Sequence, residues 1–257
     1  MNTFIYKKIP GITALSASFS EFEYKKHSHG EYALGVTLRG VQQYYSGGCF
    51  HSSHESGIVL FNPEQAHDGR AQDKSGIDYI MLYIEPDLLT KVMNQKNPIR
   101  FSDSNIYDKR LSLKIRELGE LVFREQDDAL CAEKLTELAD CLGNSEFSAS
   151  KTDDDLTRKA KKRISESPLT VLKLDDICKE LSVSKFKFIR AFKASAGISP
   201  YQYFLNIKLE AAKRIIEAEK DVYAAVAACG FNDLTHLNRH FKSVYGTTAF
   251  EYLSYLK

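Results

Sequence analysis

The feature that most constrains this chain is an internal repeat near its C-terminus. Residues 174–197 (LDDICKELSVSKFKFIRAFKASAG) and 222–246 (VYAAVAACGFNDLTHLNRHFKSVYG) follow one pattern. Leu174, Ile177, Cys178 and Leu181 match Val222, Ala225, Val226 and Cys229 at an offset of 48. After one extra residue in the second copy, Phe188, Arg190, Phe192, Lys193 and Gly197 match Leu237, Arg239, Phe241, Lys242 and Gly246 at an offset of 49. Each copy predicts a short apolar helix, a tight turn and a second, basic amphipathic helix. That is the helix-turn-helix pattern, whose second helix enters the DNA major groove.

The charge distribution agrees with the repeat. The whole chain of 257 residues carries a net charge of only +1, but residues 156–257 hold 18 Lys+Arg against 10 Asp+Glu, while residues 1–155 hold 17 against 24. A basic half joined to an acidic half predicts that one end meets a polyanion. The five cysteines show no C-x-x-C spacing, and Cys178 and Cys229 fall at apolar helix positions, so buried thiols in a reducing compartment are expected. No apolar run is long enough to span a membrane, and Pro10-Gly11 interrupts the stretch after Lys7-Lys8 where a signal peptide would need an apolar core. A cytoplasmic protein is the simplest expectation.

Along the chain, residues 12–84 read as β structure. The runs ITALSASFSEF, YALGVTL, VQQYY, GIVLF and IDYIMLYI are separated by turn residues, which predicts a sandwich or barrel. From about residue 108 the period becomes helical. Leu111, Ile115, Leu118, Leu121 and Val122 form one stripe, and Leu130, Leu135, Leu138 and Leu142 another. Such stripes suit either a cover for the open face of a sheet or a homodimer surface, and the pattern alone leaves both open. The expected divisions are a ligand-sensing β domain (1–95), a helical cover or dimerisation segment (96–142), a linker (143–155) and a DNA-binding domain (156–257).

Within the repeat, Ser184 and Asp233 are the expected N-caps of the two second helices. Phe188, Ala191 and Phe192 in the first unit, and Leu237 and Phe241 in the second, are assigned to the core. Between the units, Pro200 to Ile216 reads as one connecting helix about 25 Å long. A strut of that order holds two recognition helices roughly one DNA turn, ~34 Å, apart.

Ser184, Phe188, Arg190, Phe192-Lys193 and Gly197-Ile198-Ser199-Pro200, continued by Cys229-Gly230-Phe231, Arg239, Phe241-Lys242 and Gly246, resemble the DNA-binding domain of the AraC/XylS family of bacterial transcription regulators. Ala249 departs from the repeat, standing where the first unit has Pro200. The resemblance implies DNA contact through Ser184, Lys185, Phe186, Lys187, Ile189 and Arg190 of the first unit, and through Leu234, Thr235, Asn238 and Arg239 of the second. The arginines suit guanine or phosphate, Asn238 suits adenine, and the apolar residues suit thymine methyls. It further implies an operator in double-stranded DNA, a small-molecule effector, RNA polymerase as a partner and a regulatory, often activating, role.

In the N-terminal half, His27-Ser28-His29 ahead of Gly57-x5-Pro63-x3-His67 resembles the cupin pattern, in which histidines can hold a metal inside a small barrel. The acidic ligand of that pattern is missing, since Glu31 sits too close to His29, and Pro63 to His67 is one residue short. Three readings follow: a metal site, a polar pocket without metal, and purely structural histidines. The second is preferred, with no metal and no cofactor. Its expected lining is His27, His29, Tyr32, Tyr44, His67 and Asp68, with Tyr79, Met81 and Tyr83 from one strand, and the expected ligand is a small polar, amino-acid-like metabolite. His51 and His54 are assigned to a surface loop.

The fold class expected is therefore multidomain, with an all-β cupin-like barrel followed by helices and an all-α double helix-turn-helix. The function expected is ligand-responsive transcription regulation rather than catalysis. The alternative is a cupin-type metalloenzyme with a helical appendix.

Overall fold

The computed structural model describes residues 2–124, 128–143, 154–167, 169 and 171–256. The bulk of the expected 143–155 linker lies outside the described residues. The N-terminal half is built from β1 (Thr3–Ile9), β2 (Ile12–Phe19), β3 (Glu23–His27), β4 (Tyr32–Arg39), β5 (Gln42–Ser46), β6 (Cys49–Ser53), β7 (Ile58–Phe61), β8 (His67–Ala71), β9 (Ile77–Ile84) and the short β10 (Asn105–Ile106). They form two antiparallel sheets, one of order β1-β2-β9-β4-β7-β10 and one of order β3-β8-β5-β6.

The sheets pack face to face around aromatic side chains. Phe19 of β2 meets Tyr24 of β3 and Tyr79 of β9, and Phe61 of β7 stacks on His67 of β8 at 3.8 Å. Small residues at Ala33 and Gly35 leave room for Met81, whose thioether lies where a Cβ on Gly35 would sit. The opposite face of the larger sheet is also buried. There Ala14, Leu34, Leu82 and Ile84 pack against α1 (Pro86–Val92), α2 (Lys109–Phe123) and α3 (Asp128–Gly143) through Leu111, Ile115, Leu118, Leu135 and Leu138. The predicted helical stripes thus cover the open face. A sheet covered on both sides explains why β9 reads as an almost unbroken apolar run.

Strands β1, β3, β6 and β8 go beyond the expected set. β1 alternates exposed and buried positions, with Phe4 and Tyr6 inward, but its two lysines mask that period. β3 (EYKKH) and β8 (HDGRA) are polar, and pairing with neighbouring strands holds them extended. The H-x-H pattern accordingly closes β3 rather than preceding the first β pair. His51 is not in a loop: it lies in β6, stacked on Tyr44 at 5.0 Å.

The C-terminal half is all helical: α4 (Asp155–Ser165), α5 (Leu174–Glu180), α6 (Lys185–Ala196), α7 (Pro200–Glu219), α8 (Val222–Ala228), α9 (Leu234–Tyr245) and α10 (Ala249–Tyr255). The repeat is therefore α5-α6-α7 set against α8-α9-α10. Helix α7 runs three residues past its expected end, and at 20 residues it measures about 30 Å. Among the described residues no helix is long and apolar enough to cross a membrane.

The two units are held differently. The first has its own core of Phe188, Phe192, Ile177, Ile164 and Phe204, with Ala66 the β-domain residue in it. The second shares one continuous apolar cluster with the sandwich, in which Phe4 and Tyr6 lie with Leu237, Phe241, Tyr245 and Tyr252. Tyr6 donates a hydrogen bond to the Tyr245 carbonyl at 2.8 Å and packs edge-on against Tyr252. Both recognition helices end on a left-handed glycine turned toward the β domain: a Cβ on Gly197 would lie 3.1 Å from Ala66, and one on Gly246 would lie 2.5 Å from the Phe4 ring.

Gly246 has φ +75° and no room for a methyl group. Gly246→Ala is expected to lower the unfolding free energy of the full chain by about 1–3 kcal/mol, measured by urea denaturation. Gly143→Ala, where an added Cβ meets nothing within 4 Å, should leave it almost unchanged.

Candidate functional site

Helices α6 and α9 present the candidate nucleic-acid surface. On α6, Ser184, Lys185, Phe186, Lys187 and Arg190 are exposed, Phe186 to 74%. A phenylalanine this exposed is unsatisfied in water and suits an apolar contact in a groove. Ser184 occupies the N-cap position without a capping hydrogen bond from its side chain. Lys185 pairs with Asp175 of the supporting helix at 2.6 Å, and Arg190 folds back so that Nε donates to the Phe186 carbonyl at 3.3 Å. Ile189 is partly buried and lines an open groove of about 430 Å³ between the two units, shared with Pro200, Phe204, Lys208 and His236.

On α9, Thr235 and Arg239 are exposed, while Leu234 packs partly onto the shared core. Asn238 departs from the expected role. Its Oδ1 accepts the backbone N–H of Ala249 at 2.9 Å, so the bidentate adenine contact assigned to it is not available in this arrangement. The reason lies in the repeat itself. In the first unit the position equivalent to Ala249 is Pro200, which has no N–H to satisfy, and the position equivalent to Asn238 is Ile189. In the second unit the proline is absent, an N–H appears at the start of α10, and Asn238 supplies its acceptor. The two differences between the copies are one structural substitution.

The β-domain candidates divide into those that converge and those that do not. His27, His29 and His67 are all buried, and one ring nitrogen from each lies within 4.8 Å of the other two. Tyr83 packs edge-on against His29 at 5.2 Å. Tyr79 and Tyr24 share a 2.7 Å hydrogen bond beneath them, with Tyr24 against His27. Tyr44 and Met81 fill the sandwich interior, and Tyr44 donates to the Ser104 carbonyl. Tyr32 and Asp68 do not belong to this site. Tyr32 falls on the other face of β4 with Leu34, packs on the helical cover and donates to the Ile99 carbonyl. Asp68 alternates outward from His67 and accepts the Tyr45 N–H at 2.6 Å. In both cases a one-residue phase decides the face.

Each histidine holds Nδ1 against a backbone carbonyl two residues away: Lys25 for His27, Glu31 for His29 and Gln65 for His67, at 2.7, 3.0 and 2.8 Å. Burial lowers all three pKa values, His27 to about 4 and His67 well below 6.5, and mutual repulsion lowers these two further. The imidazoles are therefore neutral near pH 7. Donor type and geometry would allow this trio to hold a metal ion.

The segment from His27 to Glu31 also carries the main contacts to α7. Ser28 Oγ meets Asn206 Nδ2 at 3.2 Å, the Gly30 N–H donates to the Glu210 carboxylate, and Glu31 meets Lys213 Nζ at 3.0 Å. Glu31 is thus turned away from the histidines, as the sequence spacing implied. Burial acts to raise its pKa, but Lys213 and His29 outweigh that and hold it at about 2. Burial disfavours the Lys213 ammonium, and Glu31, with Tyr245 and Glu217, more than offsets this and raises its pKa. Lys213 was not among the expected site residues, although its phase with Leu209, Ala212 and Ile216 marks it as a lysine pointed into an apolar face. The void left beside Tyr6, His27, His29, Tyr83 and Lys213 is about 10 Å³, on the scale of one water molecule.

Comparison with known proteins matches both halves. The family described as AraC-like ligand binding domain matches residues 9–139, and that described as helix-turn-helix domain matches residues 177–254. The uncharacterized HTH-type transcriptional regulator YbfI of Bacillus subtilis (strain 168) is 23% identical over 224 residues, covering 84% of this chain and 82% of that one. The MmsAB operon regulatory protein of Pseudomonas aeruginosa is 32% identical over 82 residues, 32% of this chain and 27% of that one. Among solved structures, apo ToxT from Vibrio cholerae strain SCE256 aligns over 98% of this chain and 100% of its own, with TM-score 0.63 and 16% identity. Unsaturated fatty acid-bound wild-type ToxT from the same strain aligns over 96% of each chain, also with TM-score 0.63 and 16% identity. These likenesses show a shared two-domain fold.

Two outcomes follow from the site chemistry. Asn238→Leu should destabilise the full chain by about 1–2 kcal/mol by orphaning the Ala249 N–H, and adding Ala249→Pro should recover most of that loss in a thermal melt. Burial and Glu31 raise the Glu210 carboxyl to about 7 from an ordinary 4.5, against Lys213, Arg214 and the Gly30 N–H. A folded-state value above the unfolded one means stability that is complete below about pH 4.5 and lost as pH rises through 7. Chemical denaturation between pH 5 and 8 should show that decline, and Glu210→Gln should flatten it.

Proposed function

The chain belongs to the AraC family of transcription regulators, with an N-terminal ligand-binding domain and a C-terminal helix-turn-helix DNA-binding domain, and from this premise we propose how the two are coupled. The observation that carries the proposal is that one five-residue segment serves both. His27 and His29 face the sandwich interior, while Ser28, Gly30 and Glu31 grip α7, the helix that joins the two DNA-reading units. A ligand that moves this segment moves the strut.

The effector best matched to the site is a small polar metabolite, and an amino-acid-like zwitterion fits its charges. Its carboxylate can replace Glu31 at Lys213 and its ammonium can replace Lys213 at Glu31. The void of about 10 Å³ means that such a ligand enters by opening the Glu31–Lys213 pair, which links binding to domain geometry. Unsaturated fatty acid-bound ToxT shares the fold, but an acyl chain has no comparable volume in this cavity. No catalytic step is part of this function.

The DNA-binding half spans residues 156–257 and the sensor residues 1–95, with 96–142 covering the sensor and offering a surface for homodimer formation. The two units read adjacent major grooves of one operator. Ser184, Lys185, Phe186, Lys187 and Arg190 of the first unit, with Thr235 and Arg239 of the second, make the contacts; Ile189 and Leu234 contribute at the groove edge. With three of the four basic side chains, the first unit anchors and the second discriminates. The protein acts in the cytoplasm with RNA polymerase.

Genomic footprinting with the full chain identifies the operator. On that site, Arg190→Ala and Arg239→Ala should each weaken binding by ~1–3 kcal/mol in a salt-controlled titration. Specific binding that survives the double substitution unchanged refutes the two-unit reading. Stabilisation of the protein by metal or long-chain acids alone, with no response to amino acids, refutes the effector class.

A further inference from the structure

We propose that His27, His29 and His67 form a binding site for a single divalent first-row transition metal ion, with the three Nε2 atoms as ligands and one coordination position left open. The argument starts from tautomers. A backbone carbonyl can only accept a hydrogen bond, so each Nδ1 held against one must carry the proton. In a neutral ring this leaves the Nε2 lone pair bare on all three residues. Histidine ligands are oriented in this way, the second nitrogen donating to a carbonyl or carboxylate that fixes ring and tautomer. The same device occurs three times here, on two different strands and the loop after one of them.

The second observation is an unmet need. His29 Nε2 is fully buried and has no hydrogen-bond partner among the described residues. A buried bare nitrogen is rare, and a cation placed between the three rings would satisfy it together with the other two. The third observation is size. The ring nitrogens lie within 4.8 Å of one another, and zinc–nitrogen bonds of 2.0–2.1 Å in a tetrahedron put nitrogens about 3.3 Å apart. Closing that difference takes side-chain rotation, not backbone movement. The adjoining void of about 10 Å³ admits a water or a single ligand atom at the open position.

Three neutral imidazoles without thiolate or carboxylate select zinc, nickel, copper or iron over calcium or magnesium. Glu31 stays outside the ligand set because Lys213 holds it at 3.0 Å. The inference is independent of the organic effector, since the site needs no part of the Glu31–Lys213 pair.

The test uses the full chain, stripped with a chelator and titrated with Co²⁺, followed by visible absorption and calorimetry, then competed with Zn²⁺. The expected result is one equivalent bound, with the absorption of a four-coordinate, nitrogen-ligated ion. The chain has seven histidines, and the exposed-side pair His236 and His240, 5.0 Å apart on α9, is the obvious competitor. A variant carrying H51F, H54A, H236A and H240A keeps the three buried histidines alone and should still bind one equivalent with the same spectrum. His29→Gln in that background should weaken uptake at least about 100-fold, beyond the 10–100-fold expected for a lost outer-shell partner. Absence of stoichiometric Co²⁺ uptake by the wild-type chain overturns the proposal, as does loss of binding when only His236 and His240 are replaced. If His29→Gln does not fold, the four-histidine variant decides by itself.

Discussion

The architecture turns on a buried ion pair between domains. Lys213 stands midway along α7, pointed into apolar surroundings, and its charge is met by Glu31 from the β domain at 3.0 Å, with Glu217 at 3.9 Å. Neither charge would be tolerated there alone, because removing one partner from a buried pair leaves an uncompensated ion that costs about 3–5 kcal/mol. The pair therefore specifies position as much as it stabilises. It fixes where the 28–31 segment meets the strut, and Glu217 carries the network on to Lys8 and Tyr252. Outside this polar line the contact is apolar, through Phe4, Tyr6, Tyr245 and Tyr252.

That arrangement makes the two DNA-reading units unequal. The second is part of the sandwich core, while the first keeps its own core and meets the β domain through Ala66 and the Glu64 ion pair with Lys161. Both point their C-terminal glycines at the β domain and leave their N-terminal ends outward, which is the orientation a groove-reading helix requires. The inequality extends to side chains. Proline at position 200 removes an N–H and permits an apolar Ile189, whereas Ala249 exposes an N–H and recruits Asn238. A residue that looks like a base reader is there to complete a helix.

The helical half was legible because its signals are local. Caps at Asp233 and Ser199, left-handed glycines at 197 and 246, and a 3.6-residue period place α5 to α10 within a few residues of their sequence-based bounds. The β half was less so. β3 and β8 are too polar to be recognised as strands, and they are extended because β5 and one another pair with them. The converging histidines were found by their spacing, but Tyr32 and Asp68 were assigned to the wrong face. On β4 both faces are buried, so its pattern carries no phase.

The sequence by itself determined the job and most of the parts: a duplicated helix-turn-helix, a basic half, an acidic β-rich half and three histidines in it. These follow from periodicity, capping and charge, which act over a few residues. Only the tertiary structure decided what those parts do to one another. Lys213 finding Glu31, Asn238 finding Ala249 and three Nε2 atoms left bare are contacts between residues 11 to 182 positions apart, or the outcome of burial that no local pattern encodes. Local physics chose the elements, and the removal of water between them set their roles.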